Sequence, residues 1–279
     1  MNMMVRLVSI VVAVVFTASG CGRGGDGGST AEHTQKAGGE AAKPAPAPSG
    51  AASAPSDVAA GATVTLTGMI HLEGQPPPPV PIQMNADAAC SAAHPESTPF
   101  AQEVVVSPEG MLANAFVFVR NGLEGKTFPT PTEPVVLDQK GCMYVPHVVG
   151  MMANQPLKLV NSDATLHNVH AHPKVEGNKE FNLGMPRQGM ESTRTFAKPE
   201  IMVPIKCDVH PWMISYVGVV EHPFFAVSDA AGRFTIPNLP PGTYTIETWH
   251  EKFGAQTQTL TVGETPTADL HFTYQVAGS

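Results

Sequence analysis

The chain has 279 residues, room for one large domain or two small ones with tails, so a single short domain is excluded. Glycine (26) and proline (27) are abundant, while aromatic residues make up 6% and charged residues 14%, a mix that suits short strands and turns better than long salt-bridged helices. A formal net charge of -8 gives no general attraction for phosphate backbones and puts nucleic-acid binding well down the list of functions.

Residues 1–20 read as a secretion signal: Met1 to Arg6 is a short positive start, Leu7 to Phe16 is almost wholly apolar, and small residues follow. That apolar run is shorter than the roughly 20 residues a permanent membrane helix needs. Ala18-Ser19-Gly20-Cys21 resembles a lipobox, which implies cleavage before Cys21 and a lipid on its sulfur. Residues 21–60 then offer Gly, Ala, Pro and Ser and almost no apolar side chains, the composition of a disordered tether. The expected location is the periplasmic face of a membrane, with Gly22 rather than Asp after the cysteine favouring the outer one.

Val64, Leu66, Ile70 and Leu72 alternate with threonines and other residues at the two-residue period of a half-buried strand. Ala115 to Val119 is apolar on both faces, as inside a sandwich, and Asn121-Gly122 turns the chain after it. A further strand is expected over Pro134 to Leu137. Turns at Asp229 to Gly232 and Leu239 to Gly242 precede strands over Arg233 to Ile236 and Thr243 to Trp249. The predicted class is all-β.

The pattern Val227-Ser228-Asp229, Gly232-Arg233-Phe234 and Leu239-Pro240-Pro241-Gly242-Thr243-Tyr244 resembles the carboxypeptidase regulatory-like domain, a small transthyretin-like β-sandwich. That family opens with strands like Val64 to Leu72 and Ala115 to Val119, both far upstream here. The expectation is one sandwich in two parts, 61–137 and 222–275, with another domain over 138–221. Two domains in series is the alternative.

Within 138–221 lies Cys207-Asp208-Val209-His210-Pro211-Trp212-Met213, preceded by Leu166-His167-Asn168-Val169-His170. Thiolate, imidazole and thioether form the donor set of a blue-copper centre, with two His nitrogens and a Cys sulfur in a trigonal set and a weak axial Met. At these residues the chain resembles the cupredoxins, most closely the amicyanin-like and plastocyanin-like ones, whose fold is a Greek-key sandwich. The resemblance makes His167, Cys207, His210 and Met213 the ligands of one type 1 copper ion and Asn168 the residue that holds the ligand loop through backbone contacts. It also makes His210, beside Trp212, the ligand nearest the surface and the electron exit. Leu166 stands where Pro is usual, and Pro204 removes a ladder donor from the strand entering the cysteine. His170 and His172 lie on the strand face opposite His167 and are expected to be surface histidines. Met151, Met152, Met185, Met190 and Met202 are scattered, more like gap-fillers than a Cu(I) store.

Cys90 and Cys142 remain. In an oxidising periplasm a disulfide is the default. The alternative is a second metal site with His94 and His147.

The function expected from these features is a non-enzymatic, lipid-anchored carrier of single electrons, exchanging them with a periplasmic cytochrome or a quinoprotein dehydrogenase. A copper storage or delivery lipoprotein and a metal-free binding or adhesion module are the alternatives.

Overall fold

The computed structural model describes residues 63–263 and 267–276. The expected signal segment, the tether and Cys21 lie outside them. Among the described residues, no helix is long and apolar enough to cross a membrane.

In chain order the elements are β1 (Val64–Glu73), the short helix α1 (Ala88–Ala92) and β2 (Phe116–Asn121). Nine strands follow: β3 (Val135–Gln139), β4 (Tyr144–Val145), β5 (Val148–Met152), β6 (Leu157–Asn161), β7 (His167–Ala171), β8 (Phe181–Met185), β9 (Met190–Arg194), β10 (Glu200–Lys206) and β11 (Ile214–Val220). The last are β12 (Phe225–Val227), β13 (Arg233–Leu239), β14 (Gly242–His250), β15 (Gly254–Val262) and β16 (Thr267–Gln275).

These strands form two sandwiches. In the outer one, the sheet β13-β1-β16 faces the sheet β12-β2-β14-β15. The alternation in β1 buries Val64, Leu66, Ile70 and Leu72 against Phe234, Ile236, Tyr244, Ile246, Phe272 and Tyr274. The turn before β13 is closed by Asp229, whose Oδ1 accepts from the backbone N–H groups of Ala231 and Arg233 at 2.8 and 2.9 Å. Gly232 takes the positive φ of 68° that the turn requires. The chain leaves this sandwich after β2 and re-enters it at β12, because the strands that pair with β1 and β2 all lie beyond residue 224.

The central sandwich consists of the sheets β5-β11-β10-β7-β8 and β4-β3-β6-β9. Its core holds Leu137, Leu157, Leu159, Val169, Phe196, Val203, Ile205, Val217 and Val219. Pro204 is accommodated within β10, opposite Tyr216, although that strand is flanked on both sides. The register of β10 shifts between Glu200 and Val203, where Met202 has a φ of 64°.

Two expectations about boundaries are corrected here. The strand expected at Pro134 to Leu137 runs over Val135–Gln139 and pairs with β6 and β4, so it belongs to the central sandwich and not to the first part of the outer one. Its alternation turns Leu137 and Gln139, both 0% exposed, into the central core. The segment around α1 was likewise assigned to the outer sandwich, yet Ile82, Met84 and Cys90 pack into the central core.

The two sandwiches meet at Phe116. Its ring packs where a Cβ on Gly218 would lie 2.6 Å from Phe116 Cζ, and one on Gly150 would lie 2.7 Å from Phe116 Cε2. Gly150 and Gly218 are paired in register on β5 and β11, so two missing side chains on neighbouring strands make one slot for the ring. Phe118, Val148, Met202 and Val220 complete this junction.

Candidate metal centre

The site is built where β7 begins and where β10 turns into β11. His167 is the first residue of β7, paired with Met185, and is 0% exposed. The loop after β10 is folded back on itself by Cys207 N–H donating to the Met213 carbonyl at 3.2 Å and Met213 N–H donating to the His210 carbonyl at 2.9 Å. That tight closure turns Cys207 and His210 toward His167. One donor atom from each of the three lies within 4.8 Å of the others, and all three residues are buried. Met213 is buried with Cys207 in the same core cluster.

Both imidazoles are held from behind by carboxylates. Nε2 of His167 lies 2.9 Å from Asp163 Oδ2, and Nε2 of His210 lies 3.3 Å from Asp87 Oδ2. A proton on each Nε2 leaves both Nδ1 lone pairs free, and the two Nδ1 atoms face each other at 2.9 Å. Two lone pairs at that distance repel unless a cation or a proton stands between them. His210 Nδ1 is also 3.9 Å from Cys207 Sγ. The donor chemistry therefore fits a soft transition-metal ion: two imidazole nitrogens and one sulfur converge, with a thioether nearby and carboxylate–imidazole pairs orienting the rings.

The electrostatics point the same way. Burial alone would lower the His167 pKa, but Asp163 and Cys207 outweigh it and raise it to about 9, so the pocket favours a positive charge. Burial pushes the Cys207 thiol up, and the hydrogen bonds from His167 and the loop backbone outweigh that and bring it below its ordinary value. His210 is lowered, first by burial.

Asn168 clamps the ligand loop. Its Oδ1 accepts from Asp208 N–H at 2.6 Å, and its Nδ2 donates to Asp208 Oδ2 at 3.0 Å and to Asn182 Oδ1 at 2.7 Å. Trp212 is half-buried and donates through Nε1 to the Cys142 carbonyl at 2.9 Å, with its ring 5.1 Å from that of His210.

Among the four expected ligands His210 and Cys207 are each 3% exposed, against 1% for Met213 and 0% for His167, and Asp87 and Cys90 lie over the Nε2 edge of His210, with Cys90 Sγ 3.6 Å away. One expectation fails: the alternative metal site of Cys90, His94, Cys142 and His147 is not assembled. Cys90 and Cys142 form a disulfide, His94 contacts the Gly141 carbonyl, and His147 is turned to the Ile214 carbonyl and to Glu251. His147 follows Cys142 closely in sequence, but it leads into β5 at the border with the outer sandwich.

Two residues central to the site carried no assigned role in the sequence reading. Asp163 ties His167 to the backbone N–H groups of Gly141 and Cys142, each at 2.7 Å. Asp87 caps α1, with Oδ1 accepting from Ala89 and Cys90 N–H, and turns Oδ2 toward His210 and the Thr165 hydroxyl. Asp163 stands in the Asn-Ser-Asp run before the first histidine, a usable signal; Asp87 carries only that of a helix cap.

The chain is thus an all-β protein of two sandwiches with a buried His-Cys-His cluster in the central one. Residues 218–275 match the family model of the carboxypeptidase regulatory-like domain. No curated protein matches the chain. Among solved structures, it is similar to the copper-containing nitrite reductase (NirK) from Thermus scotoductus SA-01, with 24% identity over 35% of this chain and a TM-score of 0.28. The match spans about a quarter (24%) of that reductase. It is also similar to the Cu(I) forms of two methionine-to-alanine variants of amicyanin, at 18% and 20% identity and TM-scores of 0.28 and 0.29. Those matches cover 37% and 38% of this chain and 97% and 98% of the amicyanin chains.

Proposed function

We propose that the chain is a type 1 copper protein that carries single electrons at the periplasmic face of a membrane, anchored by a lipid on Cys21. The observation that carries the copper reading is the convergence of His167 Nδ1, His210 Nδ1 and Cys207 Sγ at one buried point, with each imidazole backed by a carboxylate. His167, Cys207 and His210 would hold the ion, with the Met213 thioether as a further soft donor. When bound, copper supplies a one-electron couple, Cu(II)/Cu(I), without exchange of bonded groups.

The chain's own residues supply the rest. Asp163 and Asp87 fix both rings, and Asn168 fixes the loop, so the donors are set before the ion arrives and move little when its charge changes. Asp87, Cys90 and Trp212 keep water from the His210 edge. Trp212, half-exposed and close to His210, provides the surface end of the route for electrons. With four donors committed and the edge covered, a carrier is a better reading than an enzyme. A cytochrome or a quinoprotein dehydrogenase of the periplasm suits such a carrier as partner.

The test is the visible spectrum of the copper-loaded full chain. Intense colour from a thiolate–Cu(II) bond, lost in Cys207→Ala, and reversible one-electron cycling are expected. Colourless protein at full copper occupancy would overturn the assignment.

A further inference from the structure

His170 lies on the face of β7 opposite His167, and His172 follows immediately after the strand, both partly exposed. Their rings lie 3.9 Å apart, centroid to centroid. His170 pairs in register with Asn182, so the residues preceding β8 come back alongside, and Glu180 reaches Nε2 of His170 at 2.9 Å. Donor atoms of His170, His172 and Glu180 all lie within 4.8 Å of one another. Unlike the buried cluster, this one is open, with the Glu180 side chain 64% exposed. We propose that His170, His172 and Glu180 form a second metal site, at the surface, for a divalent first-row transition cation of the Zn(II) or Cu(II) type.

Two features beyond proximity support it. First, two imidazoles and one carboxylate form a borderline donor set suited to Zn(II) and Cu(II) rather than to calcium or magnesium, and they leave coordination positions to water. Second, His170 is oriented as a ligand is. Its Nδ1 lies 3.2 Å from both oxygens of Asp208, which directs the Nδ1 proton there and leaves Nε2 to face Glu180. Asp208 directly follows Cys207 and is held by Asn168 and Asn182, so the surface site and the buried one share a support.

The proposal stands independently of copper at Cys207. Isothermal titration of Zn(II) into the full chain, already loaded with one equivalent of copper, tests it. Uptake of one further equivalent is expected, abolished in His172→Ala and in Glu180→Gln, with the visible spectrum of each variant unchanged as proof of folding. If copper does not load at Cys207, the same titration of the metal-free chain is expected to lose one equivalent in each variant, with unchanged far-ultraviolet circular dichroism as the folding control. No further Zn(II) uptake by the wild-type chain, or equal uptake by both variants, would overturn the site.

Discussion

The Oδ2 atom of Asp87 stands 3.3 Å from Nε2 of His210, across 123 positions of sequence, while Oδ1 of the same carboxylate caps α1. Asp87→Ala removes both functions, and Asp87→Asn keeps a cap and a neutral acceptor. The alanine variant is expected to lose about 1 kcal/mol of stability through the cap and to bind metal about 10 to 100 times more weakly through the freed imidazole. The asparagine variant is expected to keep most of the stability and a larger share of the affinity. Urea unfolding and competition with a chelator measure the two effects separately.

Asp163 bridges His167 to the backbone N–H groups of Gly141 and Cys142. Asp163→Ala strands these two donors and is expected to cost about 1 to 3 kcal/mol. Denaturant midpoints of the metal-free chain would register that loss, and metal affinity would fall with it.

The disulfide joins Cys90 of the α1 segment to Cys142 beside β4, closing a loop with a sequence separation of 52. Replacing both cysteines by serine is expected to lower stability by about 4 kcal/mol on the chain-entropy argument. It also releases the cover from His210, so exogenous imidazole or azide should perturb the visible spectrum of the copper-loaded variant and not that of the wild type. An unchanged spectrum in both would mean that the cover stays in place without the crosslink.

His250 is fully buried, and its Nε2 has no hydrogen-bond partner among the described residues. Burial is the largest influence on its pKa, which lies at about 4 in the folded chain. Because that is below its ordinary value near 6.5, the unfolded chain binds the proton more readily. Stability from this residue is complete above about pH 6.5 and is lost as the pH falls through about 4, at most about 3 kcal/mol in all. His250→Gln should flatten the acid limb of the stability profile between those values, measured by thermal unfolding across pH.

The donor types and their spacing could be read from the chain because Cys207, His210 and Met213 lie within one loop and His167 opens a neighbouring strand. The strands of the outer sandwich were visible for a similar reason: the alternation in Val64 to Leu72 and the turn residues Asp229 to Gly232 are local. What surrounds the site was not. Whether His210 reaches solvent depends on Asp87 and Cys90, at sequence separations of 123 and 120, and nothing in the loop itself announces them. The short strand Val135–Gln139 misled for another reason. Its alternation fixes which side chains turn inward, not which core they enter, and the partner that decides this is β6. His94 and His147 flank the cysteines in sequence, yet backbone direction turns His147 toward Glu251.

The nine-residue parallel register of β1 with β16, from Thr65 opposite Thr267 to Glu73 opposite Gln275, imposes an order on biosynthesis. β1 emerges first of the described strands, and both of its sheet neighbours, β13 and β16, emerge after the whole central sandwich has been made. Thr67 waits 201 positions for Ala268, whose carbonyl accepts its hydroxyl proton. During that interval the central sandwich has all its strands and can close, while β1 offers unpaired backbone groups on both edges, a state that invites pairing with other nascent chains. A newly made molecule therefore needs protection at its first strand until its last one arrives.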